Sequence, residues 1–230
     1  MKAVDFALDL IFPKICQKCG VEGNYLCSQC LSEIKPPTMF CPECDKPSTL
    51  GLVHPVCKKQ NTPLDALMVA AEYNEQAVRN LVWQLKYNSA KTVSEDLSVL
   101  LADFLVTQNI LDHFADFTLA SVPLHKTRLK LRGFNQAETI SKNLSRKLGL
   151  RYLELLTKLK KTKRQVDLTL EQRVENVKNV FQIINRADTP KKILLIDDIA
   201  TTGSTLLECA KVLKKAGAKE VWGLVLARNK

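Results

Sequence analysis

The segment KKILLIDDIATTGST, ending at Thr205, constrains the fold more than any other stretch of the chain. Four aliphatic residues, Ile193–Ile196, run into Asp197 and Asp198. After Ala200, a short loop of Thr201, Thr202 and Gly203 opens a helical pattern over Ser204–Ala216, which Gly217 stops. Val221–Ala227 then reads as a final apolar strand. In an open α/β sheet, ligands bind beyond the carboxyl ends of the strands. A helix that opens on glycine and small hydroxyl residues turns backbone N–H groups and its positive dipole end toward a phosphate. Gly203 lets the backbone come close, and Thr201, Thr202, Ser204 and Thr205 supply hydroxyls. Asp197 and Asp198 stand where carboxylates accept hydrogen bonds from sugar hydroxyls or hold Mg2+. One segment therefore offers partners to both a phosphate and a sugar.

The residues upstream repeat the alternation. Leu67–Tyr73 is strand-like, Gln76–Tyr87 carries Leu81, Val82 and Leu85 on one helical face, and Leu97–Val106 reads as a second amphipathic helix. Phe117–Val122 is a short strand ending at Pro123, and a further helix begins near Phe134. Strands alternating with helices predict an α/β fold, a mostly parallel sheet flanked by helices, over residues 65–230. TKLKKTKR, 157–164, reads as a basic loop. Cys209, Trp83 and Trp222 read as packing residues.

Residues 1–64 follow another logic. Cys16/Cys19, Cys27/Cys30, Cys41/Cys44 and His54/Cys57 form four pairs with two-residue gaps. Each such turn aims two ligands at one tetrahedral ion, so four pairs suffice for two structural Zn2+ sites. Sequential pairing closes the shorter loops, while interleaved pairing uses the same ligands. Few large aliphatics occur here, so metal must supply much of the folding free energy. We therefore read 1–64 as a double zinc-ribbon-like module with an N-terminal helix, its core separate from that of 65–230.

No apolar run approaches the roughly 20 residues that span a bilayer. Asp5 and Asp9 interrupt the apolar start, which argues against a secretory signal. A cytoplasmic location, where thiols stay reduced, agrees with cysteines used as metal ligands. The net charge of +10 is uneven: Lys126–Arg164 holds thirteen basic and two acidic residues, whereas 65–125 holds three and eight. That basic segment is an anion-facing surface, and single-stranded DNA is one candidate partner.

The strand–DD–TTGST–helix pattern resembles the phosphoribosyl pyrophosphate (PRPP) motif of type I phosphoribosyltransferases. VPLHKTRLKLRGFNQAE (122–138) follows a strand, as a pyrophosphate-binding loop does. TKRQVDLTLEQRVENVKNVF (162–181) spaces Thr162, Gln165, Leu168, Arg173 and Asn176 ahead of Phe181. With the upstream cysteine pairs, this order resembles the ComF/ComFC competence-protein family, in which a zinc module precedes a phosphoribosyltransferase-like domain. The resemblance covers nearly the whole chain; the departure is HPVC, where many members have a CxxC-like pair. It implies PRPP and Mg2+ bound by Asp197, Asp198 and Ala200–Thr205. Pro123 and Arg132 would face pyrophosphate, and a loop with Gln165 and Arg173 would close over the site. It implies a role in DNA uptake and natural transformation, with partner proteins of that process. The chain is also similar to amidophosphoribosyltransferases in its flexible-loop region but lacks their glutamine-hydrolysing domain, so glutamine-dependent amination is not expected. No residue identifies a catalytic group or an acceptor. A transferase with an unknown acceptor and a non-catalytic PRPP-sensing or DNA-binding module both remain readings of the sequence.

Overall fold

The structure, a computed structural model, describes residues 13–58, 62–87, 90–160, 162 and 169–229. The N-terminal helix expected before Pro13 lies outside the described residues, as do Gln165, Leu168 and the basic residues Lys161, Lys163 and Arg164.

Two short helices, α1 (Ser28–Ser32) and α2 (Pro55–Lys58), lie among the cysteine turns. Then follow β1 (Ala66–Glu72), α3 (Gln76–Tyr87), α4 (Ala90–Thr107), β2 (Thr118–Ser121), α5 (Lys126–Arg132) and α6 (Gln136–Leu148). The chain continues with β3 (Leu156–Lys158), α7 (Leu170–Val177), β4 (Phe181–Ile183), β5 (Lys192–Ala200), α8 (Ser204–Ala216) and β6 (Glu220–Arg228). β1, β6, β5 and β2, in that spatial order, form one parallel sheet. The near-continuous apolar runs of its strands follow from burial on both faces.

Strand alternation sends each residue set to its own layer. Leu194 and Ile196 join Met68, Leu119 and Leu224 against Leu97, Leu101 and Phe104 of α4 and Ile140 and Leu144 of α6. Ile193 and Leu195 join Leu67, Val69 and Val225 against Leu206, Cys209, Ala210 and Leu213 of α8. The buried Cys209 and Trp222 are packing residues, as expected. Trp83 is not: it is 56% exposed, because Val78, Leu81, Val82 and Leu85 already occupy the inward stripe of α3.

Three other expectations need correction. β5 does not stop at Ile196 but runs on to Ala200, because β6 is equally long and pairs with it as far as Ala200↔Arg228. The basic loop at 157–164 begins as strand: Thr157 and Lys158 belong to β3, which pairs antiparallel with β4, Lys158 opposite Phe181. Finally, the cysteine-rich region has no separate core of its own around its first cluster. Cys16, Leu26, Cys30 and Met39 belong to the same apolar cluster as α4 and the sheet. The Asp96 carboxylate on α4 accepts the backbone N–H groups of Tyr25 (2.7 Å) and Leu26 (3.3 Å). Burial pushes its pKa up, although those two donors pull it down. Near the second cluster, Gly51 has φ 67°, and a Cβ there would lie 2.0 Å from the Leu67 carbonyl oxygen, so only glycine permits this approach to β1. Among the described residues, no helix is long and apolar enough to cross a membrane.

Candidate functional site

β2 and β5 are neighbours in the sheet, yet they send their following helices to opposite faces: α6 packs with α4, and α8 packs on the other side. Their carboxyl ends therefore flank a topological switch point, where open α/β sheets leave a crevice. Pairing with β2 ends at Ser121↔Ile196, so Asp197 and Asp198 are the first residues of β5 beyond it. Alternation turns Asp197 toward the face of α8 and Asp198 toward the face of α6. Their Oδ1 atoms also accept the backbone N–H of the next residue, at 2.9 Å for Asp198 and 2.7 Å for Ile199.

The loop after β5 is held from both sides. Asn229 donates its backbone N–H to the Ala200 carbonyl (2.9 Å), and Arg228 Nε donates to the Thr201 carbonyl (3.1 Å). Thr202 Oγ1 accepts the Ser204 N–H (3.2 Å) and donates to Ser204 Oγ (2.9 Å). Gly203 caps α8 at φ 77° without a side-chain hydrogen bond, and a Cβ there would lie 3.2 Å from Leu67 Cδ2. The 13-residue α8 thus opens at the crevice with its positive end.

On the β2 side, Pro123 starts the loop that leads into α5, and Arg132 closes that helix. His125 is buried and caps α5 by accepting the Thr127 N–H at Nδ1 (3.2 Å). Asn135 Nδ2 donates to the Val122 carbonyl (3.0 Å), tying the start of α6 to the carboxyl end of β2. Beside it, Gln136 is 2% exposed and its Nε2 has no hydrogen-bond partner among the described residues. An orphaned buried amide costs about 1–3 kcal/mol, and an anionic ligand here would satisfy it. Arg173 lies on α7, which packs against α8 and is started by a Thr169–Gln172 capping box.

Sequence reasoning missed one cation. Lys158 is half-buried, with Nζ 3.0 Å from Thr162 Oγ1 and 5.2 Å from the centre of the Phe181 ring. Burial lowers its pKa, the Arg128 charge adds to that, and Asp197 partly opposes it. Arg128 itself donates to the Thr162 carbonyl (3.1 Å). The signal was the strand pattern Leu155–Leu156 ahead of it, hidden by the run of lysines.

The cysteine region forms two clusters that could hold a metal ion: Cys16, Cys19, Cys27 and Cys30, and Cys41, Cys44, His54 and Cys57. The ligand atoms of each set lie within 4.8 Å of one another, close to the edge of about 3.8 Å that 2.3 Å metal–sulfur bonds would give a tetrahedron. This is the sequential pairing. His54 turns Nδ1 to Cys44 Sγ (3.2 Å), while Nε2 meets the Pro47 carbonyl (3.2 Å). That carbonyl accepts the Nε2 proton and leaves Nδ1 as the ligand. Burial opposes ionisation of Cys16, but backbone N–H groups of Cys19, Cys27 and Lys18 outweigh it and hold the thiol at about 6. Burial pushes Cys57 up to about 11. Each ring of ligands thus carries protons that a metal ion would displace.

Comparison with known proteins agrees with this geometry. Residues 135–230 match the model of the phosphoribosyl transferase domain. The chain is 32% identical over 216 residues to Competence protein F of Haemophilus influenzae, covering 90% of this chain and 93% of that one. It is 31% identical to DNA utilization protein YhgH of Escherichia coli, covering 94% and 98%. It is 36% identical over 141 residues to Competence protein ComFC of Streptococcus pneumoniae, covering 57% and 56%.

Proposed function

We propose, for a chain that belongs to the ComF/ComFC family of competence proteins, that it binds PRPP with Mg2+ at the β2–β5 crevice and takes part in DNA uptake. The observation that carries the ligand reading is the meeting, at one switch point, of Asp197, Asp198 and the glycine-started N-terminus of α8. Ala200–Thr205 hold the 5′-phosphate, and Asp197 and Asp198 hold the ribose hydroxyls. The Pro123–Gly133 loop, with Arg132, faces pyrophosphate, and the orphaned Gln136 amide donates to the same charged group. Arg173, on α7 and not on the loop expected for it, and Gln165, outside the described residues, exclude water from the site. Magnesium, held through the two aspartates and ligand oxygens, would neutralise charge on the departing pyrophosphate. The residues themselves supply position and preorganised donors.

The names of the relatives, a competence protein and a DNA utilization protein, support the DNA-uptake role. The thiolate-rich donor sets support one structural Zn2+ in each cysteine cluster. Eight ligands for two ions leave no open coordination position, so these metals are not the reactive ones.

Calorimetry with Mg2+ and PRPP tests the site. Asp197→Ala with Asp198→Ala should weaken binding at least about tenfold, since a charged hydrogen bond contributes roughly 1.5–3 kcal/mol. Unchanged affinity would reject the assignment. Release of pyrophosphate on incubation with cell metabolites would separate a transferase from a protein that binds PRPP without turnover.

A further inference from the structure

The two cysteine clusters expose their thiols differently. In the first, Cys16 and Cys30 are 2% and 4% exposed, whereas Cys19 is exposed and Cys27 half-buried. The sulfurs of those two outer residues lie 3.7 Å apart. Cys19 stands in a turn, and Cys27 precedes α1 without a side-chain capping bond, so the fold fixes neither sulfur within a helix or strand. In the second cluster Cys41 and Cys57 are buried and Cys44 is half-buried. There the Cys44 sulfur meets an imidazole, His54 Nδ1 at 3.2 Å, which cannot share a disulfide with it.

We infer that Cys19 and Cys27 are a redox-active pair, which a peroxide joins as a disulfide while the second cluster stays reduced. The inference rests on a metal ion held by the first cluster. Thiolates react with peroxides and thiols do not, and a cysteine that ligates a metal is a thiolate. Cysteines that oxidise reversibly are accessible and have a second cysteine beside them. Cys19 and Cys27 meet both conditions; the buried Cys16, Cys30, Cys41 and Cys57 fail the first. A disulfide brings two sulfurs to about 2.0 Å, and the exposed Cys19 side chain has solvent into which to turn through the remaining distance.

The step balances with hydrogen peroxide as oxidant. The Cys19 thiolate attacks one peroxide oxygen: an S–O bond forms, the O–O bond breaks and hydroxide leaves. The Cys27 thiolate then attacks the Cys19 sulfur, forming the S–S bond and expelling the second hydroxide. Two protons from solvent turn both hydroxides into water; each sulfur gives up one electron and the peroxide gains two. Cys16 and Cys30 alone do not complete a tetrahedral set, so the metal leaves. The effect reaches the α/β body. Cys16, Leu26 and Cys30 share the apolar cluster of α4, and Asp96 on that helix accepts the Tyr25 and Leu26 amides, one of which adjoins Cys27.

The full chain, loaded with Zn2+ and assayed for metal content, is treated with hydrogen peroxide. A chromogenic chelator should register one of two zinc ions per chain, and non-reducing peptide mass mapping should find Cys19 linked to Cys27. A thiol reductant with Zn2+ should restore the starting state. Amide exchange should rise at Tyr25 and Leu26 and stay unchanged over residues 41–57. Cys19→His keeps a fourth ligand, of the kind His54 supplies to the second cluster, but removes the partner sulfur. It should release zinc at least about tenfold more slowly, and if it holds no zinc at all the wild-type mapping decides alone. Release of both ions together, a disulfide between other cysteines, or sulfinic acids without a disulfide would overturn the assignment. A first cluster that holds no zinc beforehand would overturn the metal reading instead, and mapping of the peroxide-treated, metal-free chain would still judge the pair.

Discussion

Replacing Lys158 with Met should make the empty protein more stable and the ligand-binding site weaker. The fold holds this ammonium half-buried between Arg128 and the Phe181 ring, and burial lowers its pKa from the ordinary 10.5. A charge kept there in the absence of ligand is a cost, offset in part by Thr162 Oγ1 at 3.0 Å, by the Phe181 ring face and by attraction to Asp197. Met keeps the unbranched stem over Phe181 and removes the charge. A gain of about 0.5–2 kcal/mol is the usual scale when a strained functional group is relieved, and at 150–250 residues each kcal/mol moves Tm by about 2–4 °C. The pH dependence has a definite sign. A lysine whose folded pKa is depressed contributes stability above its unfolded pKa of 10.5 and loses it as pH falls through the lower, folded value. The Tm advantage of Lys158→Met should therefore be largest at neutral pH and shrink as pH rises toward 10.5. An anionic ligand that pairs the ammonium would reverse the balance: loss of one charged hydrogen bond, about 1.5–3 kcal/mol, should then weaken PRPP binding roughly 10- to 100-fold. Scanning calorimetry across pH and titration with Mg2+–PRPP measure the two effects. A variant that is less stable at pH 7 and binds PRPP normally would refute both the cost assigned to the buried charge and its place beside the ligand.

Gly203→Val forces a β-branched residue to φ 77° with its Cβ 3.2 Å from Leu67 Cδ2, so Tm should fall and PRPP affinity should drop at least about tenfold; unchanged calorimetry would reject the cradle. Asp96→Ala orphans the Tyr25 and Leu26 amides, at about 1–3 kcal/mol each less the relieved burial of the carboxylate, and should speed loss of metal to a chelator as well as lower Tm. Chelation of the wild type should destabilise the α/β body too, because Leu26 and Met39 share its core; a second transition unmoved by chelator would contradict that. For single-stranded DNA, the exposed Lys126, Lys130 and Lys160 are the residues to replace with Gln, since half-buried Lys158 is not a surface charge. The log–log salt dependence should then flatten by about 0.7 for each phosphate that is no longer neutralised, and an unaltered slope would put the DNA surface elsewhere.

What the sequence made legible is what leaves a local pattern. The aliphatic run of β5, the small residues at the start of α8 and Gly217 at its end reveal that unit without any knowledge of its neighbours. The ligand spacing likewise marked each two-residue-gap pair, because such a gap fixes two ligands through backbone geometry alone, whereas which pairs join was left open by the spacing and is seen only in the fold. The limits of β5 were a different matter. Asp197–Ala200 is polar enough to read as loop, and pairing with β6, Asp197 with Val225 and Ala200 with Arg228, keeps it extended.

Long-range contacts account for the other departures. β3 and β4 have three residues each, too few to show a period of two, and they pair across an intervening helix. Lys158 therefore looked like one more lysine in a basic run, although the fold half-buries it, with Nζ on Thr162 Oγ1 and over the Phe181 ring. The same reasoning explains the shared core. Asp96 reads as an ordinary polar position on a helix, but it lies 71 residues from the Tyr25 amide it accepts, a separation that no spacing pattern encodes. Residues 37–40 of the cysteine-rich region also share a cleft with Glu72, Tyr73 and Arg228 at the carboxyl ends of β1 and β6. A metal ion held by Cys41, Cys44, His54 and Cys57 would order the turn that carries Asp45, Asp45 pairs with Arg228, and Arg228 Nε donates to the Thr201 carbonyl in the loop after β5. The two halves that composition separates near residue 64 are thus joined through Asp45 and Arg228 to the loop after β5, so removal of metal should weaken PRPP binding at the proposed site, and calorimetry with and without chelator measures it.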